Sequence, residues 1–306
     1  MAWYKVEEIP CPKLDLGEGP HWDIKTQSLY FVNLFEATIH RLDYQKNKVY
    51  HASVEGCTWT SFIIPVKGRS NEFVVADGSR VVLISWDGVS DKAKIVKVIA
   101  DLGDKENRIN DGKADFKGRL FAGTLRAEHC GNPFEENSGK FYRYDAKKGE
   151  FVEQFDKVFI SNGLAWNEKT KKFYYADTGA YSVQEFDFDE EGNLSNGKVL
   201  LDMSVTNKEP KDGPDGMTID TDGNLYLAVF HGSKVLKISP SGEVLQEIKI
   251  PAKQVTSVAF GGPNLDELFV TTAKRPFVET QGPLAGATFK VTGLGVRGLP
   301  MADVEL

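Results

Sequence analysis

A strand-turn-strand unit recurs six times along this chain of 306 residues, at intervals of roughly 40 to 50 residues. Each unit contains a β-branched and aromatic run: LYFVN at 29–33, EFVVA at 72–76, RLFA at 119–122, KFYYAD at 172–177, NLYLAV at 224–229 and ELFVTT at 267–272. A period of this length, filled with short strands, is typical of β-propeller blades. We therefore predict an all-β fold, a six-bladed β-propeller with four antiparallel strands per blade, as a single domain over residues 1–306.

Two other repeat architectures fit this pattern less well. A β-sandwich array would not repeat so evenly, and the rungs of a β-helix are shorter than these units. A propeller has no free sheet edge when its terminal segments pair. We therefore expect the two terminal segments of the chain to pair with each other.

Composition and charge exclude several classes of protein. Hydrophobic residues make up 41% and charged residues 26% of the chain, which excludes disordered, collagen-like and coiled-coil proteins. The formal net charge is -7 and the basic residues are scattered, so we expect no nucleic-acid partner. Neither a signal peptide nor an apolar run of about 18 residues is found, so we expect no membrane association. Three cysteines without CxxC spacing favour a reducing compartment, and we expect a cytoplasmic protein.

A polar residue precedes the small residue that opens the inner strand of each unit. In a propeller these equivalent positions form a ring around the central channel, and here they are Glu18, Thr60, Asp111, Asn162, Asp215 and Thr256. Crowding potential anions in a partly dehydrated channel is costly unless a cation compensates them. The donors are all oxygen atoms, which suit Ca²⁺, Mg²⁺ or Mn²⁺ better than Zn²⁺. We predict that Glu18, Asn162 and Asp215 bind one divalent ion; the alternative is that the Asp-Gly and Asn-Gly pairs are ordinary turns.

Four segments carry a resemblance to a known family. They are LGEGPHW at 16–22, RINDGKAD at 108–115, SNGLAW at 161–166 and PDGMTID at 214–220. In this order they resemble the signature segments of the regucalcin (senescence marker protein), gluconolactonase and luciferin-regenerating enzyme family. Residues 255–268 resemble its animal members, and GLGVRG at 293–298 resembles the insect luciferin-regenerating branch.

The resemblance implies a six-bladed propeller with one catalytic divalent ion held by Glu18, Asn162 and Asp215. It also implies that Arg108 and Asn110 contact the substrate, whereas Asp111 either faces the channel or supports the ligands of the ion. After residue 124 the sequence departs from mammalian members, because LRAEH at 125–129 replaces a Met-Ala-Glu-Glu lid. Glu128 is the candidate for the lid glutamate that contacts the substrate, and the segment up to residue 137 is expected to alter the pocket mouth.

The leading functional hypothesis is a divalent-metal-dependent hydrolase acting on a lactone or related cyclic ester. The ion polarises the carbonyl, Asp215 accepts the proton of the attacking water, and Arg108 and Asn110 orient the substrate. Ca²⁺ is the first expectation for the ion, with Mg²⁺, Mn²⁺ and Zn²⁺ as alternatives. A serine nucleophile is not expected, because no GxSxG segment occurs. The expected partner is a small-molecule substrate.

Two other functions stay open at the level of sequence. The first is luciferin regeneration, the conversion of oxyluciferin toward a cyanobenzothiazole. Aromatic residues near the mouth would favour such a flat substrate, and the candidates are Trp3, Trp59, Phe134 and Phe277. The second is a non-catalytic calcium-binding protein, although the sequence has no EF-hand loop flanked by helices.

Overall fold

Short β-strands dominate the computed structural model, which describes residues 3–205, 211–275 and 281–306. Within these ranges the only helical element is one turn of 3₁₀ helix, Leu34–Glu36. The β-branched and aromatic runs of the repeat form strands, as their composition predicts. No helix in the described ranges is long and apolar enough to span a membrane.

The first strand, β1 (Lys5–Glu8), is followed by eight strands that belong to one sheet. They are β2 (Gly17–Asp23), β3 (Ser28–Asn33), β4 (Thr38–Asp43), β5 (Lys48–Glu55), β6 (Ile63–Pro65), β7 (Glu72–Asp77), β8 (Arg80–Ser85) and β9 (Lys92–Asp101). Their spatial order is β2-β3-β4-β5-β9-β8-β7-β6.

Four further sheets have four strands each. The first three are consecutive: β10 (Asn107–Ala114), β11 (Leu120–Arg126), β12 (Gly139–Asp145) and β13 (Glu150–Val158); β14 (Ser161–Asn167), β15 (Lys172–Asp177), β16 (Ser182–Phe188) and β17 (Leu194–Asp202); β18 (Gly213–Ile219), β19 (Leu225–Phe230), β20 (Lys234–Ile238) and β21 (Val244–Lys249). The last sheet joins β22 (Gln254–Gly261), β23 (Glu267–Ala273) and β24 (Phe289–Thr292) to β1.

The eight-stranded sheet differs from the predicted six separate blades. Its halves, β2 to β5 and β6 to β9, each have the antiparallel up-and-down order of a blade. The halves are joined because the outermost strands β5 and β9 pair in parallel at Ser53, Val54 and Glu55. The all-β, propeller-like architecture is thus confirmed, whereas strand pairing divides the described chain into four blades and one double sheet.

The first strands of neighbouring sheets surround a common channel. Contacts run from β10 to β14, from β14 to β18, from β18 to β22, from β22 to β2 and from β2 to β6. β14 and β22 are buried along their whole length, whereas most residues of the outermost strand β17 are exposed. Cores lie between adjacent sheets, and one of them packs Ala165 and Tyr174 against Met217 and Leu227. Removing a buried side chain such as that of Leu227 would cost about 2 to 5 kcal/mol.

The two terminal segments close the ring of sheets. β1 pairs antiparallel with β24, so the N-terminal strand completes the sheet that ends the chain, as the sequence predicts. The C-terminal segment, residues 297–306, then crosses one end of the channel. Its backbone hydrogen bonds join Arg297 to Thr221, Gly298 to Leu265, Val304 to Pro65 and Glu305 to Gly118.

Candidate functional site

The first strands are irregular at the ring positions. β-bulges interrupt pairing between Glu18 and His21, Ile109 and Gly112, Ser161 and Leu164, Pro214 and Met217, and Val255 and Ser257. A bulge releases one strand from its ladder and re-aims the side chains there. Five of the six ring residues therefore lie where a bulged strand can turn them toward the channel, whereas Thr60 lies before β6 and outside any bulge.

The glycines beside the ring residues allow neighbouring strands to approach each other. A Cβ atom on Gly163 would lie 2.5 Å from the Asp215 carbonyl oxygen, and one on Gly216 would lie 2.0 Å from the Ser257 hydroxyl oxygen. Neither glycine has a positive φ, so neither occupies the left-handed position of a turn. The Asn-Gly and Asp-Gly pairs at these positions are strand segments, and the turn alternative for them is wrong.

One cavity of about 370 Å³ collects all six residues predicted for the site. It is lined by Glu18, Asn162 and Asp215 and also by Arg108, Asn110 and Glu128. The bulged strands β2, β10, β14 and β18 supply five of these side chains, and the loop after β11 supplies Glu128. The structure therefore brings the candidate metal ligands and the candidate substrate contacts to one end of the channel.

The acidic residues of the channel are buried and close enough to repel one another. Burial, followed by the negative charge of Asp111, raises the pKa of Glu18 well above its usual value. Burial also raises the pKa of Asp215 well above its usual value, and the charges of Glu18 and Asp111 add to that effect. The ionised forms of these groups therefore require positive charge nearby.

Thr178 fixes the orientation of the Asn162 amide. Asn162 Nδ2 donates a hydrogen bond to Thr178 Oγ1 over 2.8 Å, and the Thr178 hydroxyl donates to the Pro214 carbonyl over 2.7 Å. Because the amide nitrogen is committed, Asn162 Oδ1 is left over, and it is buried without a hydrogen-bond partner in the described structure. Sequence reasoning missed Thr178, which follows the end of β15 and resembles an ordinary turn residue.

Arg108 forms a clamp with Glu128 and Asn110, which is called the Arg108 clamp below. Its Nε and Nη2 atoms donate to the Glu128 carboxylate at 2.9 and 2.6 Å, and Nη1 donates to Asn110 Oδ1 at 3.0 Å. Asn110 Nδ2 in turn donates to the Ser161 carbonyl over 2.8 Å. Burial opposes ionisation of Glu128, but the hydrogen bonds and charge of Arg108 outweigh it and lower its pKa.

The aromatic candidates occupy different places. Phe134 lines the cavity, and Trp59 lies beside it, with its ring 5.9 Å from the Arg108 guanidinium carbon. Trp3 is 95% exposed and does not line the cavity, and Phe277 lies outside the described residues. Phe35 lines the cavity as well, although nothing in its sequence context marks it.

The donor set fits a hard divalent cation. No group of three His, Cys, Asp or Glu side chains is arranged to hold a metal ion in residues 3–205, 211–275 and 281–306. The Glu18 and Asp215 carboxylates and the Asn162 amide line the same cavity and offer oxygen donors only. Asn162 Oδ1 and Asp215 Oδ1 are both buried and lack hydrogen-bond partners in the described structure. Buried oxygen atoms of this kind are suited to bind a cation.

Comparison with known proteins gives the family. The family profile described as the SMP-30/Gluconolactonase/LRE-like region matches residues 16–274. Regucalcin from Gallus gallus is 36% identical over 312 residues, which cover 98% of each chain. The chain belongs to this family. The resemblance predicted from the four signature segments is thereby confirmed.

Solved structures agree with the fold of this family member. A luciferin-regenerating enzyme matches with a TM-score of 0.89 and 39% identity, covering 99% of this chain and 100% of the other. A calcium-binding protein, regucalcin, from Agrobacterium tumefaciens matches with a TM-score of 0.86 and 21% identity over 99% and 98% of the chains. The second likeness supports the fold alone.

Proposed function

We propose that this protein is a divalent-metal-dependent hydrolase that opens a lactone or related cyclic ester in the cavity at the end of the channel. The observation that carries the proposal is Asp215, a buried carboxylate with one oxygen free of hydrogen bonds, in a cavity shared with Arg108. Such a group can hold a cation or accept a proton. Membership of a family that includes gluconolactonases supports the same reaction class.

Glu18, Asn162 and Asp215 are the residues that would hold the ion. When bound, a divalent ion polarises the ester carbonyl and lowers the pKa of a nearby water. Ca²⁺ is our first candidate, because two carboxylates and an amide oxygen are hard ligands, and Mg²⁺, Mn²⁺ and Zn²⁺ are the alternatives to test.

The chain itself supplies proton transfer and orientation. In our proposal a carboxylate oxygen of Asp215 accepts the proton of the attacking water. Arg108 and Asn110 position the ester, and the burial of the cavity floor limits access of bulk water. Thr178 binds the Asn162 amide nitrogen and so leaves the amide oxygen without a hydrogen-bond partner in the described part of the protein.

Luciferin regeneration is the second candidate. The luciferin-regenerating enzyme of known structure is 39% identical to this chain, and Phe35 and Phe134 give the cavity aromatic walls. A purely calcium-binding role is a weaker candidate, since ion storage alone gives no reason for the Arg108 clamp beside the carboxylates.

We further propose that each half of the eight-stranded sheet is one blade, which gives six blades in a single domain over residues 1–306. The antiparallel order within each half supports that count. The proposed site of action is the cytoplasm, and the proposed partner is a small molecule.

The decisive experiment compares the metal-free protein with protein reconstituted with each of the four ions. We expect chelation to abolish hydrolysis of δ-lactones and to lower the melting temperature, because the carboxylates then repel each other. An aldonolactone and oxyluciferin, assayed side by side, separate the two enzymatic candidates. Unchanged rate and melting temperature after exhaustive chelation would refute the metal site.

The variant Asp215→Asn tests the assigned base. It keeps the side-chain shape and one carbonyl oxygen ligand, but an amide cannot accept the proton as a carboxylate does. We expect kcat at saturating metal to fall about 10²- to 10⁴-fold. A variant that keeps more than about a tenth of the wild-type kcat would place the proton acceptor elsewhere, and Asp111 and Glu128 would be tested next.

A further inference from the structure

We infer that the cavity selects uncharged cyclic esters with an apolar body, and that Glu128 and Phe35 are the residues that determine this specificity. The inference rests on the proposed hydrolase function and adds the substrate class. Two features of the cavity carry it: the hydrogen bonds within the Arg108 clamp and the hydrocarbon side chains that line the cavity.

The guanidinium of Arg108 has one N–H left for a substrate, on Nη2, which can orient an ester oxygen but cannot bind a carboxylate in a fork. Nε and one N–H of Nη2 are bonded to Glu128, and Nη1 donates both to Asn110 Oδ1 and to the Ile109 carbonyl at 3.2 Å. Binding a substrate carboxylate in the usual forked geometry requires two parallel N–H groups of one guanidinium. Glu128 already occupies that position, and its charge cancels that of Arg108.

The location of Glu128 makes it a filter for charge. The Arg108 side chain is 4% exposed, whereas that of Glu128 is 39% exposed and therefore lies on the solvent side of the pair. An anionic substrate meets the carboxylate before it can reach the guanidinium. The same arrangement favours release of product, because hydrolysis of a lactone yields a hydroxy acid whose new carboxylate finds no free forked donor.

Hydrocarbon side chains form most of the remaining cavity surface, and they are called the apolar wall below. Its main members are Leu16, Phe35, Leu125, Phe134, Ile160 and Phe230. An alkyl or aryl group of the substrate would be removed from water here and would bind more tightly for that reason. Hydroxyl groups placed against the same wall would lose water without gaining partners.

The polar side chains of the cavity offer few contacts to a polyhydroxylated ring. Asn110 donates to the Ser161 carbonyl and accepts from Arg108, and the Thr178 hydroxyl both accepts and donates within the protein. Outside the candidate metal ligands and the Arg108 clamp, the other polar side chains of the described residues that line the cavity are Asn132 and His231, and Asn132 donates to the Glu135 carboxylate and accepts from the Phe134 backbone N–H. Two side chains cannot replace the water shell of a ring with a hydroxyl on most of its carbons.

Phe35 is a member of the apolar wall that other side chains hold in place. The Arg275 guanidinium carbon lies 3.8 Å from the centre of its ring, and Trp59 packs edge-on with ring centroids 6.4 Å apart. Because the ring is held by protein on these sides, it presents a preformed surface, and a substrate that packs on it loses little side-chain entropy of the protein.

The test uses the metal-reconstituted protein and four δ-lactones of one ring size: δ-valerolactone, its phenyl derivative, a polyhydroxylated aldonolactone and a carboxymethyl derivative. We expect kcat/KM for the phenyl lactone to exceed that for the aldonolactone at least about tenfold. Phe35→Ala should remove most of the preference for phenyl over the parent lactone. The control Leu245→Ala, at a 48% exposed position on β21, should leave it unchanged.

Glu128→Gln tests the charge filter. Gln can still accept a hydrogen bond from Arg108 but no longer cancels its charge. We expect the rate for the carboxymethyl lactone relative to the parent lactone to rise at least about tenfold. The matched control is Glu136→Gln, which removes one charge from the same loop, where Glu136 pairs with Arg126 and not with Arg108.

Calorimetry with the corresponding δ-lactams, which resist hydrolysis, separates this inference from the proposed function. If no lactone is hydrolysed but the lactams bind in the predicted order, the function is wrong and the specificity stands. If the aldonolactone or its lactam is preferred, or if Glu128→Gln behaves like Glu136→Gln, the specificity inference is overturned whether or not lactones are hydrolysed.

Discussion

Replacing Thr178 by valine should damage the candidate metal centre without touching a metal ligand. Valine has nearly the shape of threonine but no hydroxyl, so Asn162 Nδ2 loses its acceptor and the Pro214 carbonyl loses its donor. Thr178 is 4% exposed, so water cannot readily replace either bond. A buried polar group left without a partner costs about 1 to 3 kcal/mol, and two such groups give about 2 to 6 kcal/mol of lost stability.

The specific effect is on metal binding. With its nitrogen released, the Asn162 amide can rotate, and the oxygen is no longer held at the cavity floor. We expect the affinity for the ion to fall about 10- to 100-fold, the usual effect of losing a residue that orients a ligand. Titration calorimetry on chelator-treated protein measures it.

Thr178→Ser is the matched control for this experiment. Serine keeps the hydroxyl and loses one methyl group, for a loss of about 1 kcal/mol in stability and little change in metal affinity. Denaturant unfolding supplies the stability of each variant. Equal metal affinity in the valine and serine variants would refute the argument that Thr178 orients Asn162.

Two more predictions follow from groups elsewhere in the channel. Burial lowers the pKa of His21 from 6.5 to about 4, so the unfolded chain binds the proton more strongly. The free energy of unfolding should therefore fall by about 3 kcal/mol for this residue as pH drops from about 6.5 to 4. His21→Gln should flatten that pH dependence in denaturant titrations, and an unchanged slope would contradict the prediction. Deleting residues 297–306 removes the backbone hydrogen bonds of Val304 and Glu305 and uncovers the channel end lined by Met301. The melting temperature should therefore drop by several degrees. A deletion variant that melts like the full chain would show that the segment does not stabilise the fold.

The repeat predicted the strands and the ring of polar residues, but it did not predict how the outer strands pair. Alternating burial in Lys48–Glu55 identifies a strand with one solvent-facing side. Such a pattern does not state which neighbour the strand meets, because a side-chain period of two is the same for parallel and antiparallel partners. The β5 to β9 pairing depends on the shape of the assembled ring, which no local pattern contains.

The site shows the same division between local and tertiary signals. Glu18, Asn162 and Asp215 could be selected because they stand at one position of the repeat. Thr178 could not, since its role depends on β14, the end of β15 and the start of β18 meeting in space. The bond between Arg108 and Glu128 was also beyond the sequence, because the fold of the loop after β11 decides which carboxylate reaches the guanidinium.

Lys113 is a buried cation in the channel, and it bears on the charge of the ion that we propose. Its ammonium group donates hydrogen bonds to the Leu164 and Met217 carbonyls at 2.9 and 2.7 Å, which fix its position. Burial lowers the pKa of Lys113 to about 8, and the charge of Asp111 acts in the opposite direction and favours the ammonium form. When Glu18, Asp111 and Asp215 are all ionised, three carboxylates face one ammonium, which leaves two negative charges, while Arg108 is balanced by Glu128. In the proposed function, a cation of charge two would balance these two charges.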